Sequence, residues 1–173
     1  MASRQEKAEA KKRLNMRNPW HLLATGFGSG LSPIVPGTIG SLAAIPFWLL
    51  IMANMPIWSV WVLIVVGFWI GCLICQRASD DMKIHDHGSI VWDEFIGMWI
   101  TLMAIPVVDY EWVITAFFIF RIYDMWKPWP IRFFDRKVSG GFGIMIDDII
   151  AAIFAYFTIW LLVWYEVMPF STN

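Results

Sequence analysis

The chain has 173 residues, of which 58% are hydrophobic and 17% aromatic, and its formal net charge is −1. A soluble domain of this length could not cover so much apolar surface with polar side chains, so the composition argues against one and favours a membrane protein. The net charge itself is uninformative, and we expect no nucleic-acid partner.

The N-terminal part of the chain divides at about residue 18. Residues 1–18 are polar, with six Lys or Arg against two Glu. They predict a mobile or loosely helical cytoplasmic arm whose contact with the membrane is at most electrostatic adhesion to anionic lipid headgroups. Residues 19–173 predict a single membrane-embedded domain, which the acids described below make the candidate catalytic domain. Its first segment, 20–41, is apolar but contains five glycines and two prolines, which predicts a short re-entrant or interfacial piece.

Apolar segments dominate the rest of the chain and predict an all-α integral membrane bundle. Residues 56–75 carry no formal charge and are about as long as a helix that crosses a ~30 Å hydrocarbon layer. We expect about five membrane-associated helices, some of them short enough to lie partly in the interface. They correspond to residues 42–55, 56–75, 95–108, 112–126 and 149–165.

The distribution of positive charge predicts the orientation of these helices. If the apolar segments alternate in direction, all 13 Lys and Arg residues fall on one side of the membrane. The positive-inside rule places that side in the cytoplasm. We therefore expect a multi-pass protein whose N-terminus and two long polar segments, 76–94 and 127–148, are cytoplasmic.

Two acidic pairs occur in the same local pattern on that side. In "DEFIG" (93–97) and "DDIIA" (147–151), two acids precede two apolar residues and a small one. Gly97 and Ala151 would let the two helices approach closely, which brings the carboxylates together. Oxygen ligands of this kind favour Mg²⁺. The alternative is that acids at helix N-termini stabilise the helix dipole, each by ~0.3–1 kcal/mol.

Cations and glycines near these acids predict a phosphate site. Arg121 and Asp124 share a helix face, and Lys127 follows at the helix end. Both cations are candidate phosphate ligands, although they could also be interfacial side chains that snorkel to the membrane surface. The glycine-rich segments 36–41 and 140–143 could bind phosphate oxygens through backbone N–H groups, or could simply form loops.

The motifs closely resemble those of the phosphatidylglycerophosphatase A family of Gram-negative bacteria. They are "NPWHLLATGFGSGLSPIVPGTIGS" (18–41), "HDHGSIVWDEFIGMW" (85–99), "FRIYDMWKPWPI" (120–131) and "GGFGIMIDDIIAA" (140–152). The resemblance implies removal of the terminal phosphate of phosphatidylglycerophosphate to give phosphatidylglycerol. It also implies dependence on Mg²⁺ and a location in the bacterial inner membrane.

The resulting hypothesis is Mg²⁺-assisted hydrolysis at the cytoplasmic face, with direct attack by water and a covalent intermediate both left open. One carboxylate would act as general base. The candidate metal ligands are Asp86, Asp93, Glu94, Asp147 and Asp148. The candidate catalytic residues are Asp93, Glu94, Asp124 and Asp148. The candidate substrate-binding residues are Thr38, Ser41, Arg121, Lys127, Gly140 and Gly141.

Two rival hypotheses use the same acids differently. A divalent-cation transporter or channel would line an ion path with them, but it would need acids at mid-membrane depth rather than at one end of the helices. A non-catalytic lipid-binding or assembly protein would tolerate acid-to-amide changes. The expected partners are the phospholipid substrate and membrane lipids, and the sequence leaves the oligomeric state open.

Overall fold

The structure is a computed structural model that describes residues 4–85 and 87–165. These residues form eight α-helices and two 3₁₀ helices, with no strand among them. The α-helices are α1 (Arg4–Lys12), α2 (Pro19–Ala24), α3 (Pro36–Leu50), α4 (Ile57–Met82), α5 (Trp92–Leu102), α6 (Tyr110–Trp126), α7 (Ile131–Lys137) and α8 (Gly140–Trp164). The 3₁₀ helices are Ser29–Leu31 and Met52–Asn54.

Helix α5 lies at the centre of the described bundle. It packs against α3, α4, α6 and α8, and every one of its residues except Glu94 is buried. A helix that is apolar on nearly all faces is stable only when it is enclosed in this way. A Cβ atom at Gly97 would lie 2.6 Å from the ring of Phe120 and 3.3 Å from the carbonyl oxygen of Asp148. Glycine at this position therefore allows the close helix approach that the sequence predicts.

Two helices, α4 and α8, are long and apolar enough to cross a membrane. Both expose large apolar side chains, among them Trp69 on α4 and Phe157 on α8. The prediction of about five membrane-associated helices is therefore supported only in part. The apolar residues of α5 are accounted for by contacts with other helices and do not require contact with lipid. Its 11 residues extend about 17 Å, which is too short to cross a hydrocarbon layer of about 30 Å.

The segment 20–41 is more regular than its glycines and prolines predict. Helix α2 is capped by Asn18, whose side-chain oxygen accepts a hydrogen bond from the backbone N–H group of Trp20. Helix α3 begins at Pro36, six residues before the predicted helix, because proline fits the first helical turn without losing a hydrogen bond. The "PGTIGS" segment is consequently the start of α3.

The N-terminal arm is helical, one of the two alternatives expected for it, and it contacts the rest of the described chain. Its helix α1 buries Ala10, and the Lys11 ammonium donates a hydrogen bond to the Leu31 carbonyl oxygen at 2.6 Å. The His87 ring lies 2.9 Å from the Lys7 carbonyl oxygen. The acceptors in these hydrogen bonds are backbone carbonyl oxygens. Every residue has such an oxygen, so the sequence of the arm does not show where it docks.

Candidate active site

Three carboxylates from two helices meet inside the bundle. Asp93 and Glu94 lie in the first turn of α5, and Asp148 lies on α8. One oxygen from each residue lies within 4.8 Å of the other two. Asp93 and Asp148 are buried and Glu94 is partly buried. These three residues are called the acidic cluster below. Carboxylates so close together in little water repel one another unless protons or a cation neutralise them.

The start of α8 limits how many of the acids the helix dipole can explain. The helix begins at Gly140, so Asp148 lies about two turns inside it and no acid occupies the first turn. A favourable interaction with the helix dipole is limited to the first turn. It can therefore stabilise Asp93 and Glu94 but not Asp148, so the dipole does not account for the acidic cluster as a whole.

Helix α6 adds Asp124 and Arg121 to the acidic cluster. The Asp124 carboxyl group lies close to that of Asp148. The Arg121 guanidinium donates hydrogen bonds to Asp124, three residues along the same helix face as predicted, and to the Ser41 hydroxyl at 3.2 Å. All four of these side chains are buried. The structure thus brings a cation and a hydroxyl to the acids.

Several buried polar atoms of this site have no hydrogen-bond partner among the described residues. They are Glu94 Oε2, Asp148 Oδ2 and Arg121 Nε. A buried polar atom without a partner is destabilising by about 1–3 kcal/mol. Oxygens of this type are the ligands that a divalent cation prefers, and an arginine N–H group suits an anion such as phosphate. The residues present therefore fit a cation beside an anion.

Gly37 is part of the site and was not among the predicted residues. A Cβ atom there would lie 2.3 Å from Glu94 Oε1 and 3.4 Å from a terminal nitrogen of Arg121. Its carbonyl oxygen accepts a hydrogen bond from the Ser41 hydroxyl at 3.0 Å. Thr38 follows in the same turn and is partly buried. The glycine-rich "PGTIGS" segment was the available signal, but it did not indicate which glycine approaches the acids.

Asp147 lies outside the acidic cluster and contacts Lys127. The Lys127 ammonium donates hydrogen bonds to Asp147 and, at 2.6 Å, to Asp135, which was also not predicted. Burial alone would lower the pKa of Lys127, but the charge of Asp147 and the hydrogen bonds to both acids outweigh it and raise this pKa. Lys127 therefore stays protonated. The assignment of Asp147 as a metal ligand remains a prediction.

The remaining predicted residues lie elsewhere. The Gly140 N–H group donates to the His85 ring at 2.6 Å, and the Gly141 N–H group donates to the Gln76 side chain at 2.7 Å. These amides hold the start of α8 against neighbouring residues, and their assignment to substrate binding remains a prediction. Asp86, the fifth predicted metal ligand, lies outside the described residues.

Within residues 4–85 and 87–165, fold and site define an all-helical architecture with two membrane-length apolar helices and an acidic cluster beside a buried arginine. The profile of one family, phosphatidylglycerophosphatase A, matches residues 22–163. The chain belongs to the phosphatidylglycerophosphatase A family, as its motifs indicate.

Two relatives carry the same name. Phosphatidylglycerophosphatase A of Escherichia coli K12 is 68% identical over 145 residues, which cover 83% of each chain. Phosphatidylglycerophosphatase A of Haemophilus influenzae is 49% identical over 144 residues, which cover 83% of this chain and 88% of the relative. No solved structure matches the chain.

Proposed function

We propose that this chain hydrolyses the terminal phosphate of phosphatidylglycerophosphate, giving phosphatidylglycerol and inorganic phosphate. The observation that carries the proposal is the convergence of Asp93, Glu94 and Asp148 beside Arg121, in a chain 68% identical to a protein named for this activity. A transporter or channel is not supported, because both relatives are named as phosphatases.

The acidic cluster fits Mg²⁺. All of its donors are carboxylate oxygens, and two of them, Glu94 Oε2 and Asp148 Oδ2, are buried without a hydrogen-bond partner among the described residues. Asp93, Glu94 and Asp148 would hold the ion, and Asp147 and Asp86 remain candidate ligands. When bound, Mg²⁺ supplies positive charge that stabilises the phosphoryl oxygens as the phosphorus–oxygen bond breaks.

The basic groups of the site bind and orient the phosphate. Arg121 is held by Asp124 and Ser41, and its Nε–H group has no hydrogen-bond partner among the described residues. A fixed guanidinium offers paired donors to phosphate oxygens and stabilises the charge that develops on them. The N-terminus of α3 carries a partial positive charge that also favours phosphate. It approaches Arg121 and Glu94 closely because Gly37 has no side chain.

The carboxylates also move the protons of the reaction. Hydrolysis consumes one water, breaks the bond between phosphorus and the glycerol oxygen, and returns a proton to that oxygen. Asp124 and the acidic cluster lie within reach of one another, so one carboxyl group can accept a proton while another donates one. This arrangement serves direct attack by water and a covalent intermediate equally well.

The protein is proposed to reside in the bacterial inner membrane, with several membrane passes and a cytoplasmic site. The exposed apolar faces of α4 and α8 support contact with lipid, and the one-sided distribution of Lys and Arg supports the orientation. A lipid phosphate lies at the membrane surface, so the acyl chains can remain in the bilayer during the reaction.

Phosphate release by the purified protein tests the proposal. In detergent micelles of phosphatidylglycerophosphate, we expect turnover that requires Mg²⁺ and falls about 100-fold or more in Asp148→Asn. The matched control is Asp80→Asn, which removes an exposed carboxylate of α4 and should leave turnover unchanged. Full activity of Asp148→Asn, or of the wild type without divalent cations, would contradict the proposal.

A further inference from the structure

A groove with aromatic and cationic walls lies where α6 ends and α7 begins. It has a volume of about 490 Å³. It is called the α6–α7 groove here. Its walls include Trp126, Lys127, Trp129, Arg132, Phe133 and Lys137. The size is in the range of sites for small ligands or headgroups.

Lys127 connects this groove to the acidic cluster. Its side chain lines the groove, and its ammonium donates a hydrogen bond to Asp147, the neighbour of Asp148 on α8. One hydrogen bond therefore links a wall of the groove to the residue next to Asp148.

The charge of the groove indicates an anionic ligand. Arg132 and Lys137 are exposed, and neither forms an ion pair among the described residues. Lys127 is paired with Asp147 and Asp135, so it fixes one wall while the other two cations remain available. Two available cations in one groove can bind a phosphate oxygen each through charge-assisted hydrogen bonds.

The aromatic residues indicate that this anion belongs to a lipid. Trp126 is 69% exposed and Trp129 is 82% exposed, although both are large apolar side chains. Tryptophan is enriched at the interface of membrane and water, at the level of lipid headgroups. Cations alone would suit any soluble anion, whereas this combination suits an anion attached to acyl chains.

We propose that the α6–α7 groove binds the bridging phosphodiester of the lipid substrate while the acidic cluster receives its terminal phosphate. The proposal rests on the proposed function, because one glycerol unit joins these two phosphates in phosphatidylglycerophosphate. The groove thus makes the enzyme specific for a lipid that carries both a phosphodiester and a phosphate monoester.

The test compares the double variant Arg132→Gln/Lys137→Gln with the wild type. The substrate is short-chain phosphatidylglycerophosphate below its micelle concentration. The matched control is Lys12→Gln/Arg17→Gln, which removes two exposed cations from the N-terminal part of the chain. We expect the KM of the groove variant to rise about tenfold with kcat within about twofold of the wild type, and we expect no change in the control.

Inhibition constants identify which phosphate the groove binds. Phosphatidylglycerol retains only the phosphodiester, so its inhibition constant should also rise about tenfold in the groove variant, whereas that of inorganic phosphate should not change. Equal rises for both inhibitors, or an unchanged KM, would overturn the proposal. A KM effect that appears only with micelles or vesicles would assign the groove to the membrane surface and overturn it as well. A wild type inactive on this lipid would instead reject the proposed function.

Discussion

At the scale of single residues, Asp147 and Asp148 show how neighbours in sequence acquire different partners. Consecutive residues of an α-helix point about 100° apart. Asp148 therefore joins Asp93 and Glu94, whereas Asp147 contacts Lys127. Asp124 from α6, a predicted catalytic residue, lies close to Asp148. The pattern "DD" indicates an acidic site but does not indicate which of the two residues faces it.

This difference predicts unequal effects of two otherwise identical substitutions. Asp148→Asn removes a carboxylate of the acidic cluster and should lower kcat about 100-fold or more. Asp147→Asn removes one of two acids that hold Lys127 and should lower kcat only about tenfold. Phosphate release at saturating Mg²⁺ measures both. An equally large loss in Asp147→Asn would show that Asp147 acts together with Asp148 as a metal ligand and does not serve only to hold Lys127.

Gly37→Ala tests the close contact between the start of α3 and the acids. The added methyl group would lie 2.3 Å from Glu94 Oε1, so Glu94 must move, and kcat should fall about tenfold. Alanine suits a helix better than glycine, so the melting temperature should change by less than about 4 °C. Gly88→Ala is the control, because its nearest neighbour would be 3.6 Å away. Unchanged kcat in Gly37→Ala would exclude Gly37 from the site.

At the scale of secondary-structure elements, hydropathy identified the apolar segments but not the helix ends. Helix α4 continues to Met82 through the polar residues 76–82, with the Gln76 side chain donating a hydrogen bond to Asp80 at 2.8 Å. Helix α8 begins nine residues before its long apolar segment. Residues 140–148 include three glycines and two aspartates, which are weak helix formers, so the packing of α8 against its neighbours and not local propensity extends this helix. A hydropathy pattern does not record such packing.

The contact between α4 and α8 predicts a strong effect at Gly141. A Cβ atom at this residue would lie 1.9 Å from the Cys72 carbonyl oxygen, which belongs to the backbone and cannot rotate away. Gly141→Ala should therefore lower the free energy of unfolding by about 1–3 kcal/mol, as overpacking does in other proteins. Thermal unfolding in detergent measures the change. Stability equal to that of Gly88→Ala would show that the two helices are not held this closely.

At the scale of the whole molecule, the sequence anticipated the helical class, the meeting of two acid-bearing helices and the family. It did not anticipate that α1 docks through Ala10 and Lys11, or that Gly37 and Asp135 contact residues of the site. Those contacts depend on how helices rotate and on where backbone carbonyls lie. Both follow from the packing of the complete bundle rather than from a local pattern.

The proposed orientation predicts which sites an impermeant reagent reaches. In intact spheroplasts, a cysteine introduced by Lys12→Cys or Lys137→Cys should be protected from a membrane-impermeant maleimide, whereas Asn54→Cys should be labelled. In the proposed orientation, Lys12 and Lys137 belong to the positively charged, cytoplasmic side. Asn54 lies between α3 and α4, and the proposal places it on the opposite side. Labelling in the reverse pattern would place the site outside the cytoplasm.

Cation binding by the purified protein tests most directly whether Asp93, Glu94 and Asp148 share one ion. Paramagnetic resonance with Mn²⁺ as the probe should detect saturable binding that Mg²⁺ displaces. The affinity should fall at least about tenfold in Asp148→Asn and should not change in Asp80→Asn. Mn²⁺ binding of equal strength in the wild type and Asp148→Asn would contradict the account.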